Sequence, residues 1–329
     1  MTNKLNKQFL RCLDVFVSKL LKQSALIQGA GFFNGKTGIA VLLYYYARYK
    51  QNIKISEYAD MLTDIILDEI SLYAGFNFER GICGTAWAIN QLITFDFIQA
   101  DEDVFEVIDD QLFKEIEKTF SLEKFNEESW KGIYILGRLH SSNHKTEKIW
   151  RQRTVKYLQH ICQLLKLQNN MDSVYILTCK DLLPVFHVCS VLWNNDRYAT
   201  EVNSLCKELP VITEMALKKE KNYGDKYMSY QLLSQLPFFN GLLEIDVPKS
   251  VALMDVIQFY LNRWIVESDI PAPKIISDAL LNIVKDKKRI DEWLFLLNPD
   301  NAGLGNYAGG LTWAMLQVCM EEYKHPESL

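Results

Sequence analysis

The sequence contains no uninterrupted apolar segment of the roughly 20 residues that a membrane-spanning helix needs. Its longest apolar run, residues 39–47, has nine residues and is followed by Arg48. Asp14 and Lys19 interrupt the amino-terminal segment 1–23, so we interpret this segment as an amphipathic helix rather than as a signal peptide. The apolar side chains of that helix recur at helical spacing: Leu10, Leu13, Phe16, Val17 and Leu20. These features predict a protein without a membrane span.

An excess of basic charge is absent, and so is a regular cysteine framework. The net charge is −5 and the isoelectric point is about 5.7, which argues against a general attraction to nucleic acid. The seven cysteines are odd in number and scattered, as is typical of reduced thiols in the cytoplasm. They are Cys12, Cys83, Cys162, Cys179, Cys189, Cys206 and Cys319. We therefore expect a cytoplasmic protein that does not bind nucleic acid.

Strand patterns and a phosphate-binding loop are also missing. No useful length of the sequence alternates between apolar and polar residues, so the chain is predicted to be all-α. The segment 31–49, GFFNGKTGIAVLLYYYARY, has only three residues between Gly31 and Gly35, whereas the phosphate loop of nucleotide-binding proteins needs four. Nucleotide binding is therefore not expected at this turn.

What the sequence does contain is a repeated pair of helices. In the first pair, a glycine turn at 31–38 precedes a helix that is apolar all round, and an amphipathic helix follows at 55–73 with Ser56 as its predicted N-cap. Its polar stripe consists of Glu57, Asp60, Asp64 and Asp68, and its apolar face of Tyr58, Met61, Leu62, Ile65 and Ile66. The unit predicts a buried inner helix followed by an outer helix.

The same unit recurs along the chain about every 50 residues, counted between Gly35, Gly81 and Gly132. The second unit combines 77–93 with 102–120, where Val104, Phe105, Ile108, Leu112 and Ile116 share one face. The third unit combines 129–142 with 146–167, whose apolar face is Ile149, Trp150, Tyr157, Leu158, Ile161 and Leu165. Weaker units follow at 181–209 and 227–268, and the glycine turn returns at 301–323. Six helix pairs predict one domain over 1–329, an α/α toroid with inner and outer helical rings.

Two of the glycine turns resemble those of a known family. The segments 34–40, NGKTGIA, and 306–311, NYAGGL, each precede an apolar helix and look like the turns of the lanthionine synthetase C-like family. This resemblance implies an α/α toroid of six helix pairs with glycine-containing loops at the starts of the inner helices. It is specific in the first, second and last units and faint in the middle of the chain.

Enzymes of this family that cyclise peptides hold zinc with two cysteines and a histidine, including a Cys-His-Gly tripeptide. Zinc would acidify the peptide thiol that attacks a dehydrated serine or threonine. No cysteine in this sequence is directly followed by a histidine, so the Cys-His-Gly tripeptide is missing. The resemblance therefore implies a member of the family without the zinc site and without a cofactor. An atypical zinc site from Cys179, His187 and Cys189 is the alternative. His187 and Cys189 lie two positions apart, however, and on a helix would point in nearly opposite directions.

Three further histidines do not indicate a second metal site. His140 and His144 have the spacing of paired ligands but lie in a polar segment that we interpret as a solvated connection, and His160 falls on an outer helix.

The predicted binding site lies where the starts of the inner helices meet. Unpaired N–H groups and helix dipoles there would favour anionic or polar ligands. The candidate residues of this cleft mouth are Asn34, Lys36, Arg80, Cys83, Trp130, Lys131, Asn240, Asn306 and Tyr307. In one interpretation the basic residues attract the carboxylates of a peptide. In the other, the glycines permit tight turns and the polar residues cap helices.

Cys83 leaves two interpretations open. Arg80 and the start of a helix would lower the pKa of its thiol and make it reactive, whereas a single cysteine without a histidine partner is more often inert.

The resemblance implies a protein that binds a peptide or protein in its central cleft, as an accessory of ribosomal peptide modification. The first enzyme alternative is a zinc-dependent peptide cyclase with an atypical site. The second is an enzyme like the six-hairpin glycoside hydrolases, which need two carboxylates at the mouth. Acidic residues at 101–103, 109–110 and 127–128 are expected on outer helices or connections, which leaves Asp225 and Asp300 as the inner candidates. A scaffold without a cleft ligand is a third possibility, in which the toroid is plugged by Phe32, Phe33, Phe238, Phe239 and Tyr307.

Overall fold

The computed structural model describes residues 3–33, 35–70, 75–100, 104–118, 121–142, 146–170, 177–192 and 195–223. These residues form α-helices and two single turns of 3₁₀ helix, at Leu122–Lys124 and Asp196–Tyr198, and no strand, so the all-α prediction is confirmed for this part of the chain. The helices are α1 (Asn3–Ser24), α2 (Lys36–Lys50), α3 (Ile53–Ile70), α4 (Ile82–Thr94), α5 (Glu106–Lys118), α6 (Phe125–Ser141), α7 (Glu147–Asn170), α8 (Cys179–Leu192) and α9 (Ala199–Tyr223). The candidates Asn34, Asn240, Asn306 and Tyr307 lie outside the described residues.

The helices after α1 form two rows. Helices α2, α4, α6 and α8 pack one against the next in chain order and make the inner row. Helix α3 packs on α2, α7 on α6 and α9 on α8, while α5 and α9 both contact α7, so these helices make the outer row. The strict alternation between the rows is what the repeated helix pair predicts.

The inner helices run parallel to one another. At their starts, the hydroxyl groups of Thr37 on α2 and Thr85 on α4 are 3.4 Å apart. Asn126 in the first turn of α6 likewise donates to Asp181 in the first turn of α8 at 2.7 Å. At the other end, the side-chain amide of Asn90 donates to the carbonyl of Gly137 at 3.3 Å. The four amino-terminal ends therefore line one edge of the inner row.

Glycine starts two of the inner helices but not the third. Gly35 and Gly81 are the N-caps of α2 and α4, both in an extended conformation. Gly132, which the repeat aligned with them, lies inside α6 because that helix already begins at Phe125. A Cβ atom at position 132 would lie 2.7 Å from Cζ of Tyr157. This glycine therefore permits close packing of α7 on α6, and the prediction that it forms a turn is wrong.

Helix α3 differs from its prediction in its start and in its buried face. It begins at Ile53, and the side chain of Asn52 accepts the N–H of Ile55 at 3.3 Å, so the predicted cap Ser56 lies inside the helix. The acidic stripe is exposed as predicted, but Met61 and Ile65 are also exposed, because α3 meets α2 along a narrower face. That face consists of Ala59, Leu62, Thr63 and Ile66.

Most of the other predicted apolar positions are buried. In α1 these are Leu13, Phe16, Val17 and Leu20. Val104 and Ile149 are exceptions, since about half of each side chain is exposed. Val104 lies just before α5, and Ile149 lies in the first turn of α7. None of the described helices is both long enough and apolar enough to cross a membrane.

Candidate functional site

A cavity of about 160 Å³ lies against the inner row, and we call it the aromatic cavity. Its lining residues come from the segments that precede α2 and α4 and from one face each of α4, α6 and α8. They are Phe32, Phe33, Phe78, Trp87, Gln91, Trp130, Ile133, Leu136, Gly137, His140, His187 and Val191. On each helix the lining residues are spaced mostly three or four apart, as expected for one helical face.

Interlocking aromatic rings form the floor of the aromatic cavity. Phe32 meets Trp87 edge to face with ring centroids 5.1 Å apart, and Phe33 meets Trp130 in the same way at 5.3 Å. Phe78 stacks on Trp130 at 5.0 Å. Edge-to-face and offset-stacked pairs are the favoured aromatic arrangements. Trp87 keeps part of its surface exposed whereas the other four rings are buried, so the floor is fixed and Trp87 is the ring most open to a ligand.

The segments that supply these rings pack together through glycine. A Cβ atom on Gly31 would lie 2.5 Å from Cα of Arg80, and one on Gly84 would lie 2.9 Å from Cβ of Phe32. The N–H of Phe33 donates to the carbonyl of Glu79 at 3.0 Å. A larger residue at either glycine would separate the two segments and move the floor.

Another glycine keeps the wall of the cavity open. A Cβ atom on Gly137 would lie 3.0 Å from Cδ1 of Trp87, so the absence of a side chain at this position of α6 allows the indole to approach the helix closely. Gly137 is thus a packing partner of Trp87 and not a helix breaker.

Three side chains give the cavity its polar character: Gln91, His140 and His187. The pKa of His187 is lowered from 6.5 to about 4, mainly by burial and to a smaller extent by the neighbouring His140. The imidazole of His187 is therefore neutral near pH 7, with one nitrogen that donates and one that accepts.

The starts of α2 and α4 do not offer the unpaired N–H groups that were expected of them. The N–H groups of Lys36 and Thr37 donate to the carbonyls of Gly29 and Ala30 at 3.0 and 3.3 Å. The N–H of Ile82 donates to Gly75 at 3.2 Å. Because the preceding chain folds back over each helix start, these groups are not available to an anionic ligand.

Two of the three basic candidates are paired with carboxylates inside the protein. Nζ of Lys36 lies 2.5 Å from the carboxylate of Glu69, and Nζ of Lys131 lies 2.6 Å from that of Glu128. Lys36 and Lys131 are both buried, whereas Arg80 is exposed. The interpretation in which basic residues hold peptide carboxylates therefore depends on Arg80.

The two remaining described candidates, Trp130 and Cys83, lie in different surroundings. Trp130 belongs to the floor of the aromatic cavity. Cys83 is fully buried, and this burial raises the pKa of its thiol in spite of the nearby positive charge of Lys131. The structure therefore does not support an activated thiol at Cys83.

Two of the residues proposed for an atypical zinc site, His187 and Cys189, have side chains that point in different directions. His187 lines the aromatic cavity, whereas the Cys189 thiol faces α9 and forms a hydrogen bond with Cys206. The opposite directions predicted from their spacing are thus confirmed. The side chain of Cys179 lies outside the described residues, and among the described side chains no group of three His, Cys, Asp or Glu is close enough to hold a metal ion.

The acidic residues are placed differently from their prediction. Glu127 and Glu128 lie in the first turn of the inner helix α6 and not on an outer helix or connection, because α6 starts seven residues before Gly132. Glu128 is buried and also faces His160 on α7, with Nε2 and Oε2 3.5 Å apart. Asp109, on the outer helix α5 as predicted, is buried and holds Arg138 at 2.9 Å. Asp225 and Asp300 lie outside the described residues.

Sequence reasoning missed most of the cavity wall, including Trp87, Gln91, Gly137 and Val191. A signal was present, since Trp87 and Gln91 are spaced to share one face of a predicted inner helix. Which face of that helix turns towards the cavity depends on how the helices pack. Of the five aromatic residues proposed as a plug, Phe32 and Phe33 form part of the floor of the cavity, and Phe238, Phe239 and Tyr307 lie outside the described residues.

Comparisons with known proteins do not identify a relative: no protein-family model, no curated protein and no solved structure matches the chain.

Proposed function

We propose that this protein binds a peptide or protein ligand by taking one aromatic side chain of that ligand into the aromatic cavity. The observation that carries the proposal is a cavity with an aromatic floor, apolar walls and a few polar groups. Binding sites for small molecules and for anchoring side chains commonly have this composition. The proposal needs no cofactor and does not depend on the lysines, which are already paired.

The volume of the cavity favours a single six-membered ring. An engineered protein cavity of about 150 Å³ with apolar walls binds benzene. At about 160 Å³ the aromatic cavity has nearly the same volume, and its floor offers edges and faces of aromatic rings to a bound ring. A phenylalanine or tyrosine side chain is therefore the anchor that we propose.

We also propose that the chain is an α/α toroid of the lanthionine synthetase C-like type. The alternation of inner and outer helices and the glycine N-caps of α2 and α4 support this proposal. In that family the role that fits a binding protein without a zinc site is an accessory of ribosomal peptide modification. The described cysteines are free thiols, which supports a location in the reducing cytoplasm.

The cyclase and glycosidase alternatives remain predictions, and no described contact favours either. Elemental analysis of the purified protein tests the first alternative. About one zinc ion per chain, lost in a Cys179→Ala or Cys189→Ala variant, would contradict a role limited to binding.

Isothermal titration calorimetry with two capped amino acids tests the proposed function. We expect N-acetyl-L-phenylalaninamide to bind with a Kd of about 1 mM, since ligands of this size gain roughly 0.3 kcal/mol per heavy atom. N-acetyl-L-alaninamide has no ring to fill the cavity and should give no measurable heat of binding. Equal behaviour of the two probes would contradict the proposal.

A matched pair of variants shows where the probe binds. Val191→Phe extends a partly exposed wall residue of α8 into the cavity and should abolish binding of N-acetyl-L-phenylalaninamide. Val211→Phe makes the same change at an exposed position of the outer helix α9 and should leave the Kd unchanged. If both variants bind like the wild type, the ring binds elsewhere.

A further inference from the structure

A pair of cysteines lies between the inner helix α8 and the outer helix α9. These two helices pack against each other, and the thiol of Cys189 on α8 donates a hydrogen bond to the sulfur atom of Cys206 on α9. A disulfide bond forms only between cysteine side chains that are directed at each other. The fold therefore brings these two thiols into the arrangement from which a disulfide bond can form.

The two thiols differ in their access to solvent. Cys189 is fully buried, whereas Cys206 is partly exposed. The buried residues Val202, Leu205 and Leu209 mark the side of α9 that packs on the other helices, and at helical spacing Cys206 lies at the edge of that side. A small solute can therefore reach the sulfur atom of Cys206, while the sulfur atom of Cys189 lies behind it.

An accessible thiol beside a buried one suits oxidation in two steps. Cysteines that respond to oxidants are typically accessible, have thiolate character and lie next to a second thiol. The hydrogen bond from Cys189 stabilises the thiolate of Cys206 and lowers its pKa. Cys162 on α7 is also close to Cys189, but Cys162 is buried, and the hydrogen bond of Cys189 goes to Cys206.

We propose that Cys206 is a site of oxidation by small peroxides, and that Cys189 then forms a disulfide bond with it between α8 and α9. This inference does not depend on which ligand the aromatic cavity takes.

The reaction consumes one hydrogen peroxide molecule for each pair of thiols. The Cys206 thiolate attacks one peroxide oxygen, the O–O bond breaks, and the other oxygen leaves as hydroxide, which takes up the proton that Cys206 had released. Cys206 is then a sulfenic acid. The sulfur of Cys189 attacks the sulfur of Cys206, the S–O bond breaks, and that oxygen leaves as water with the proton of Cys189. The two sulfur atoms are oxidised and the peroxide is reduced to two water molecules. A thiol reductant reverses the bond by exchange.

Peptide mapping of the full chain after treatment with hydrogen peroxide tests the site. Trypsin cleaves after Lys180, Arg197 and Lys207, so Cys189 and Cys206 fall on separate peptides, 181–197 and 198–207. We expect the folded wild type to give these two peptides as a cross-linked pair before the buried Cys83 is oxidised, and dithiothreitol should separate them. Remaining thiols are alkylated in denaturant before digestion, so that they cannot exchange. Because this experiment uses only the wild-type protein, it does not depend on whether a variant folds.

Two alanine variants test the role of Cys189. In Cys189→Ala the cross-linked pair should be lost, and dimedone, which reacts with sulfenic acids, should label Cys206. Cys162→Ala is the matched control, because it removes the other buried thiol of this region and should keep the cross-linked pair.

The other outcomes each overturn a part of the proposal. If Cys206 in the folded wild type is not oxidised, or is oxidised no faster than Cys83, it is not a site of peroxide oxidation. Oxidation of Cys206 that ends as a sulfenic acid in the wild type would overturn the role of Cys189. A disulfide bond to Cys162 or to a second copy of the chain would overturn that role as well.

Discussion

His187 shows at the residue scale how the cavity changes the chemistry of one side chain. In the unfolded chain its imidazole has an ordinary pKa of 6.5, whereas burial lowers the pKa to about 4 in the folded protein. Between these two values the unfolded state binds more protons, so the free energy of unfolding decreases as the pH falls from 6.5 to 4. We expect this contribution to be at most roughly 3 kcal/mol, and urea denaturation at several pH values in this range measures it.

The variant His187→Leu should lose that part of the pH dependence, because it cannot take up the proton. His140→Leu replaces an exposed histidine and should keep most of the wild-type slope. Equal slopes in His187→Leu and the wild type would show that His187 does not titrate in this way.

The pair of thiols between α8 and α9 gives a second prediction for single residues. The Cys189 thiol donates to Cys206 and lowers the pKa of that partly exposed thiol, whereas Cys83 and Cys189 are fully buried with raised pKa values. Thiolates are the reactive form, so iodoacetamide should alkylate Cys206 before the two buried cysteines in the folded protein. Mass spectrometry of tryptic peptides over time measures the order.

The variant Cys189→Ala removes the donor and should slow alkylation of Cys206 severalfold. A Cys206 rate that is unchanged in this variant, or Cys83 reacting as fast as Cys206, would contradict the account.

The sequence identified some residues of the site but not their surroundings. Trp130 was a candidate and lies in the cavity floor, yet Lys36 and Lys131 are buried against Glu69 and Glu128. The spacing of Glu128 and Lys131 is visible in the sequence. Burial of the pair is not, because it depends on α7 covering that side of α6.

At the scale of elements, the close packing of α6 on α7 depends on Gly132. A Cβ atom there would overlap the ring of Tyr157, whose hydroxyl donates to the carbonyl of Ser129 at 2.8 Å. We expect Gly132→Ala to lower the free energy of unfolding by about 1 to 3 kcal/mol, as measured by urea denaturation.

A double-mutant cycle distinguishes packing from an effect on the helix itself. In a Tyr157→Leu background the ring is gone, and Gly132→Ala should become neutral or stabilise by up to about 1 kcal/mol, since alanine favours a helix over glycine. An equal loss in both backgrounds would rule out the contact with Tyr157 as the cause.

Helix periodicity predicted the elements better than their starts. The apolar and amphipathic patterns correctly indicated α1 to α9, because each pattern reflects burial over several turns. The starts depend on a few residues: Asn52 caps α3 in place of Ser56, and α6 extends seven residues before Gly132. A glycine in the sequence is compatible both with a turn and with a close contact between helices. Which of the two roles it has depends on the helix that packs against it.

At the scale of the whole molecule, the repeat of about 50 residues predicted two rows of helices, and the described helices follow it. The aromatic cavity could not be predicted in the same way. It exists because three helices and two preceding segments present particular faces to one another, and a periodic pattern does not fix those rotations.

The central claim is that the cavity holds an aromatic side chain, and NMR of the complex tests it most directly. With methyl-labelled protein and N-acetyl-L-phenylalaninamide, we predict intermolecular nuclear Overhauser effects from the phenyl protons to the methyl groups of Ile133 and Val191 and to the indole of Trp87. Val211 on α9 serves as the internal control and should show none. Contacts from a bound ring to other parts of the surface, with none to these three residues, would contradict the claim.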